Sequence, residues 1–302
     1  MATTSTTTPL AREIAPVRTA PPPRILRALG HYALPAFTAV VVFYLLVPIL
    51  VMILFSFNDY QGKFNYAWNG FTLQGWLHPL DWPGLPDSLR TSLFIAFSST
   101  IIATILGTLI GLALVRYQFR GRGAINGLIF LPMATPEIVM GASLLTLFVA
   151  SVTQSPVKDV VPRGLLFPLG IQTILIAHVM FNISYVVVTV KARLIGFDRR
   201  LEEAAMDLGA NEWVTFWKVT FPLILPGVVA AGLLAFSLSI DDFIITNLVS
   251  GPTTNTFPIW VYSIQKNALP IQINVIGSMV FLVAVGFVAI SNILSARRQR
   301  VR

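Results

Sequence analysis

Charged residues cut this chain into long apolar stretches. Arg27 to Asp59 encloses 31 uncharged residues, Arg90 to Arg116 encloses 25, Arg163 to Lys191 encloses 27, Lys218 to Asp241 encloses 22 and Lys266 to Arg297 encloses 30. A bilayer core takes about 20 helical residues, and a charge at its centre costs ~2.5–3.5 kcal/mol. Each gap therefore predicts one membrane-crossing helix. Between Arg122 and Lys158 the chain is apolar except for Glu137, and a sixth helix is expected there because no other segment can return the chain across. The stretch from Phe243 to Gln265 is also uncharged, yet Gly251, Pro252 and Pro258 mark it as a helix end followed by a loop. The pattern predicts an all-α integral membrane protein with six transmembrane helices.

Composition supports that reading. Hydrophobic residues make up 55% and charged residues 11% of the 302, against roughly 45–50% and ~25% in a soluble domain, which excludes a soluble enzyme. The net charge, 21 − 13 = +8, is a topology signal. Arg12 to Arg27, Arg116 to Arg122, Lys191 to Lys218 and Arg297 to Arg302 hold 16 of the 21 basic residues, and six spans put all of them on one side. The positive-inside rule makes that side, with both termini, cytoplasmic, so the charge does not call for nucleic acid. Residues 1–29, Thr-rich and carrying Pro21 to Pro23, read as a disordered basic tail. The apolar stretch that follows is too long for a cleavable signal. The membrane domain then covers 30–296, and 297–302 is a basic C-terminus. The absence of cysteine excludes disulfides and thiolate metal sites. In the outer loop from Asp59 to Leu89, Trp68, Trp76 and Trp82 suit an interfacial belt or a partner-docking surface.

The cytoplasmic segment 191–222 is too long for a simple connection. Asp198 can cap a short helix whose stripe, Leu201, Ala204, Ala205 and Leu208, recurs at helical spacing. Gly209 can end it, and Asn211 can cap a second helix running through Trp213, Phe216 and Trp217 to a break at Pro222. A stripe of small residues lets a short helix lie closely in a groove of another protein. A DNA-binding helix-turn-helix is the competing reading, but five acids against two arginines between Asp198 and Glu212 would repel phosphates.

Glu203, Ala204 and Ala205, then Gly209, then nine residues to Val219, then Phe221 and Pro222, resemble the EAA loop of binding-protein-dependent ABC importer permeases. That motif has Ile and Leu where this chain has Val219 and Phe221, apolar exchanges that keep the spacing. His178 to Glu212, Ser237 to Pro252, Arg116 to Gly123 and Pro136 to Gly141 are similar to the C-type permeases of spermidine/putrescine importers, over roughly residues 30 to 296. The resemblance implies a type I (MetI-like) ABC importer permease fold in the bacterial inner membrane. It further implies that Glu203, Ala204, Ala205 and Gly209 form a coupling helix docked on a cytoplasmic ATPase. The partners implied are a paralogous permease, two ATPase subunits, an extracytoplasmic substrate-binding protein, membrane lipid and a polyamine substrate. Trp68 to Trp82 and Thr253 to Pro258 would be the binding protein's landing surface. No GxxxxGK[ST] loop occurs in the chain, so ATP is expected on the partner and no cofactor in this polypeptide.

Three acids, Glu137, Asp241 and Asp242, lie in apolar stretches without a Lys or Arg to neutralise them. Such acids are protonated, face water, or meet a cation that comes and goes. The last case suits a pathway for an organic cation, whose ammonium groups also pass favourably over aromatic faces such as Phe236, Phe243 or Trp260. Other readings stand beside it. Glu137 follows Pro132 and Pro136 and suits the start of a helix resumed after a break, where exposed N–H groups favour a carboxylate. On a continuous helix Asp241 and Asp242 diverge by ~100°, and Asp241 would lie ~22–28 Å along the fifth helix; which of them faces a pathway stays open. Ser237 and Thr246 are weaker candidates. His178 is either a proton relay or a hydrogen-bonded helix contact. Gly107 and Gly111 permit close helix packing, within the chain or against a second permease. The rival functions are a permease for another ABC-imported small solute, since related importers for iron or sulfur compounds use the same loop, and a proton-coupled secondary transporter working through the same three acids.

Overall fold

The computed structural model describes residues 24–153 and 167–300. Among these the regular structure is helical, with only two isolated β-bridges, Asn58 with Phe71 and Phe64 with Leu269. The elements are α1 (Arg24–Phe55), α2 (Gln74–Leu77), α3 (Leu85–Arg116), α4 (Arg122–Ala134), α5 (Glu137–Thr153) and α6 (Ile171–Ile195). They continue with α7 (Arg200–Asp207), α8 (Glu212–Thr215), a π-helical turn (Phe216–Thr220), α9 (Phe221–Ile240), α10 (Ile244–Val249), α11 (Phe257–Ile264) and α12 (Ile271–Arg300). Lys158, Arg163 and most of the N-terminal tail lie outside the described residues. The chain divides into two compact units, residues 1–54 and 55–302. The first is the long apolar α1, which begins at Arg24, ahead of the tail boundary at residue 29, and exposes Phe37, Phe43, Tyr44 and Leu45. A helix apolar on all sides is stable only against lipid or another apolar surface.

In the second unit α3, α6 and α9 pack on one another. Glycine decides the closest approach. A Cβ on Gly107 would stand 2.6 Å from Val186 Cγ1, and one on Gly111 would stand 3.5 Å from Val190 Cγ1. The G-x-x-x-G stripe is therefore filled by α6 of the same chain and is not left for a second permease. Beside it Ala103, Val186, Val190, Ile224, Ala231 and Ala235 form one core. A second core joins Ile95 of α3 and Ile174, Ala177 and Phe181 of α6 to α5 and α10 through Leu144, Phe148, Ile245 and Val249. The outward faces of α3 and α9 remain apolar and exposed, as at Phe94, Phe97, Ile101, Val229 and Leu233, which suits contact with hydrocarbon.

Four helices, Tyr32–Phe55, Leu85–Arg116, Ile171–Ile195 and Glu212–Ile240, are long and apolar enough to cross a membrane. α12 carries a further apolar stretch, Ile271–Gly286. The expected third span differs from a straight crossing. It is two helices, α4 and α5, bent by 109° at the Thr135–Pro136 break. Pro136 has no N–H to continue α4 and disfavours helical geometry at Thr135, which is extended at ψ 131°.

Pro222 is a second correction. The expected break there is absent, because the preceding turn widens into a π-helix whose Phe221 N–H reaches the Phe216 carbonyl. The wider turn makes room for the ring, and α8 runs through it into α9.

Candidate functional site

α9 stops at Ile240, and this stop creates the site. Asp242 Oδ2 accepts from the Thr246 N–H at 2.8 Å and the Thr246 hydroxyl at 2.6 Å. A side chain that bonds nearby backbone in this way competes with helix continuation and starts α10 instead. Because the helix is interrupted, the ~100° divergence expected of neighbours on a helix does not hold: Asp241 and Asp242 line the same cavity.

That cavity has a volume of 730 Å³ and is walled by the α4–α5 break, by α6 and by the α9–α10 break. Glu137, the first residue of α5, lines it too, as do Phe181, Tyr185 and Phe243. All three acids singled out from the sequence thus converge, and among the described lining residues there is no Lys or Arg. The N-terminal turn of α5 offers Glu137 the favourable end of the helix dipole as well.

The two aspartates differ in what already satisfies them. The Asp242 carboxylate is 5% exposed and stands 3.3 Å from His178 Nε2, so it has polar neighbours that its own apolar stretch does not reveal. Thr246 commits its single hydroxyl proton to Asp242, hence His178 Nε2 donates to Thr246 Oγ1 at 2.8 Å. On the other side His178 Nδ1 meets Ser239 Oγ at 2.6 Å, and Ser239 meets Ser99 Oγ at 2.9 Å. This polar chain links α3, α6, α9 and α10 inside the core. His178 is the hydrogen-bonded contact of the two readings. Asp241 is exposed and has no side-chain partner among the described residues beyond its own backbone. It also lines a second, mostly apolar cavity of 420 Å³ together with Phe243, Tyr262 and Val261.

The remaining candidates sort as follows. Thr246 is buried within the Asp242 contact, whereas Ser237 is exposed away from the cavity. Phe236 packs edge-on against Phe97, 6.3 Å between ring centres. Trp260 is buried and donates to the Pro83 carbonyl at 3.1 Å. The aromatic faces actually offered, besides Phe243, are Phe181 and Tyr185. Their spacing from His178, three and seven residues, is the signal that could have found them.

The segment after α6 takes the predicted form. Asp198 Oδ1 accepts from the Arg200 N–H at 3.0 Å. α7 ends on Gly209 at φ +89°, with Gly209 N–H bonded to the Met206 carbonyl and Ala210 N–H to that of Ala205, the paired closure that a left-handed residue permits. Asn211 Oδ1 caps Val214 N–H at 2.8 Å. No residue of α7 is buried, and Leu208 is 90% exposed. The stripe Leu201, Ala204, Ala205 and Leu208 lines a shallow cleft with Val219, Pro222 and Leu223. Glu203 is exposed beside it.

The loop around the three tryptophans is internally folded. Asn58 and Asn65 bond each other at 2.6 Å and take up the Phe55 and Ala67 carbonyls. Phe57 stacks between Phe71 and Trp76, while Trp68 remains half-exposed.

Residues 103–301 match the family model described as the binding-protein-dependent transport system inner membrane component. The spermidine/putrescine transport system permease protein PotC of Haemophilus influenzae is 35% identical over 262 residues, 87% of this chain and 96% of that protein. The putrescine transport system permease protein PotI of Escherichia coli K12 is 36% identical, over 86% and 90% respectively. Among solved structures, a bacterial ABC transporter involved in import of the acidic polysaccharide alginate superposes with a TM-score of 0.66 at 15% identity, covering 91% of this chain and 99% of that one. At that identity the likeness concerns the fold.

Proposed function

Because the chain belongs to the family of binding-protein-dependent transport system inner membrane components, we propose that it is the permease subunit of an ATP-driven importer for a polyamine of the spermidine/putrescine class. The observation that carries the substrate class is the meeting of Glu137, Asp241 and Asp242 on one cavity with aromatic faces and no basic residue among its described lining. An anion carrier requires the opposite charge there. A polyamine presents ammonium groups separated by methylenes, which match carboxylates set among Phe181, Tyr185 and Phe243. The names of the relatives point to the same class of solute.

In this reading the protein crosses the bacterial inner membrane six times with both termini cytoplasmic, α4 and α5 together forming the third span. It is not itself an enzyme. A paralogous permease completes the pathway, two ATPase subunits bind and hydrolyse ATP, and an extracytoplasmic binding protein delivers the solute. Glu203, Ala204, Ala205 and Gly209 contact the ATPase. That α7 has no buried residue and keeps Ala204 of its alanine stripe exposed supports that role, since such a helix can offer its apolar stripe to a partner. Asp241 meets the cation directly, and Asp242 with His178 holds the α9–α10 break in place.

The test is ATP hydrolysis by the reconstituted four-component complex. Spermidine or putrescine, presented on the binding protein, is expected to stimulate it. Stimulation by anionic or neutral solutes alone would overturn the substrate assignment.

A further inference from the structure

The adjacent acids of α7 have different surroundings. Glu203 is exposed, whereas the Glu202 carboxylate turns inward and is 14% exposed. Its Oε1 accepts from Arg116 Nη2 and from the Thr220 hydroxyl, and Arg116 Nη2 also reaches Thr220 Oγ1 at 3.3 Å. Arg199, just before α7, donates from its own Nη2 to the Val115 carbonyl at 3.1 Å. Arg116 is the last residue of α3, and Thr220 is the last residue of the π-helical turn that leads into α9.

These bonds join a helix that has no buried residue to two helices of the packed α3, α6 and α9 layer. The apolar stripe of α7 meets only the shallow cleft with Val219, Pro222 and Leu223 and buries none of its residues. Besides the chain connections to α6 and α8, a movement imposed on α7 reaches the layer through what grips it, and charge-assisted bonds are the strong grips available. The carboxylate is shielded by its neighbours, so salt screens the pair less than an exposed one. We infer that Glu202 is the positioning residue that passes displacement of α7 to α3 and α9, with Arg116 and Thr220 as its two anchors. Glu203, on the exposed side, meets the driving partner. The inference rests on the reading of α7 as the ATPase contact.

The test uses the complete transporter in proteoliposomes, with binding protein and radiolabelled spermidine as the probe, and reads uptake and ATP hydrolysis together. In Glu202→Gln the ATPase is expected to stay bound and to hydrolyse ATP within about twofold of the parent rate, while spermidine moved per ATP falls about fivefold, within the range of single-residue effects on coupling. Inverting the pair, Arg116→Glu with Glu202→Arg, is expected to recover most of that ratio. An unchanged ratio in Glu202→Gln would overturn the inference. So would a parallel fall of uptake and hydrolysis with loss of the ATPase, which would make Glu202 a docking or folding residue. Failure of the inverted pair to recover the ratio would remove the Arg116 contact as the strut. Glu203→Lys is the separate control: if it leaves ATP-driven uptake intact, the ATPase-contact reading itself fails, whereas a loss there beside a normal Glu202→Gln condemns the strut alone.

Discussion

Asp241 and Asp242 stand next to each other, yet their surroundings differ because their hydrogen bonding differs. Asp242 is held by Thr246 and His178, and Asp241 faces the cavities with its carboxylate free of other side chains. Replacing Asp241 with Asn is expected to raise the KM for spermidine uptake about tenfold, since a charge-assisted hydrogen bond contributes ~1.5–3 kcal/mol, and to leave assembly and thermal stability unchanged. Asp242→Ala is expected to act on stability instead. Losing a helix-start acceptor costs about 0.5–2 kcal/mol, read as a lower unfolding temperature in detergent. Equal KM effects from both variants with no change in unfolding temperature would contradict this division. The type of these residues was legible in the sequence, because carboxylates in apolar stretches demand a partner. Their division was not, because it depends on Ser239 and Thr246 arriving beside His178 from 61 and 68 positions away.

At the scale of elements, glycine and proline set the architecture. Gly107 lets α3 meet Val186 of α6 at backbone distance. Gly107→Ala is expected to destabilise the protein by ~1–3 kcal/mol through overpacking, seen as a lower unfolding temperature, and Val186→Ala in the same chain is expected to restore part of the loss. An unchanged temperature for Gly107→Ala would mean that the two helices are not in tight contact there. Gly209 at the end of α7 and Asn211 at the start of α8 were readable from their types and spacing because capping is a local interaction, whereas the N-cap of α7 is Arg199 and Asp198, one position earlier, holds only the Arg200 N–H in a turn. The two proline positions were read less well. The break at Pro136, with Glu137 opening the resumed helix, is as expected, but its 109° bend was not foreseen, and Pro222 is absorbed by a π-helical turn. In each case the outcome depends on whether neighbouring helices supply room for the displaced turn, which no local pattern encodes.

For the whole molecule, transport is expected to need ATP on the cytoplasmic side and to persist when an ionophore collapses the pH gradient. Vesicle uptake of spermidine checks this, and uptake by the isolated polypeptide driven only by a proton gradient would instead favour secondary transport through the three acids. The sequence by itself determined that the chain belongs in a membrane, roughly where its long helices run and that Glu137, Asp241 and Asp242 have no Lys or Arg within their own apolar stretches, because burial in hydrocarbon penalises every charge at the position where it stands. It also determined the short alanine-bearing helix, since spacing and caps act within a few residues. Only the tertiary structure decided that Glu137, Asp241 and Asp242 share one cavity, that Asp242 is bound by His178, and that Glu202 rather than Glu203 grips Arg116. Those facts join residues from 64 to more than 100 positions apart, and such meetings exist only once helix packing has chosen which faces meet.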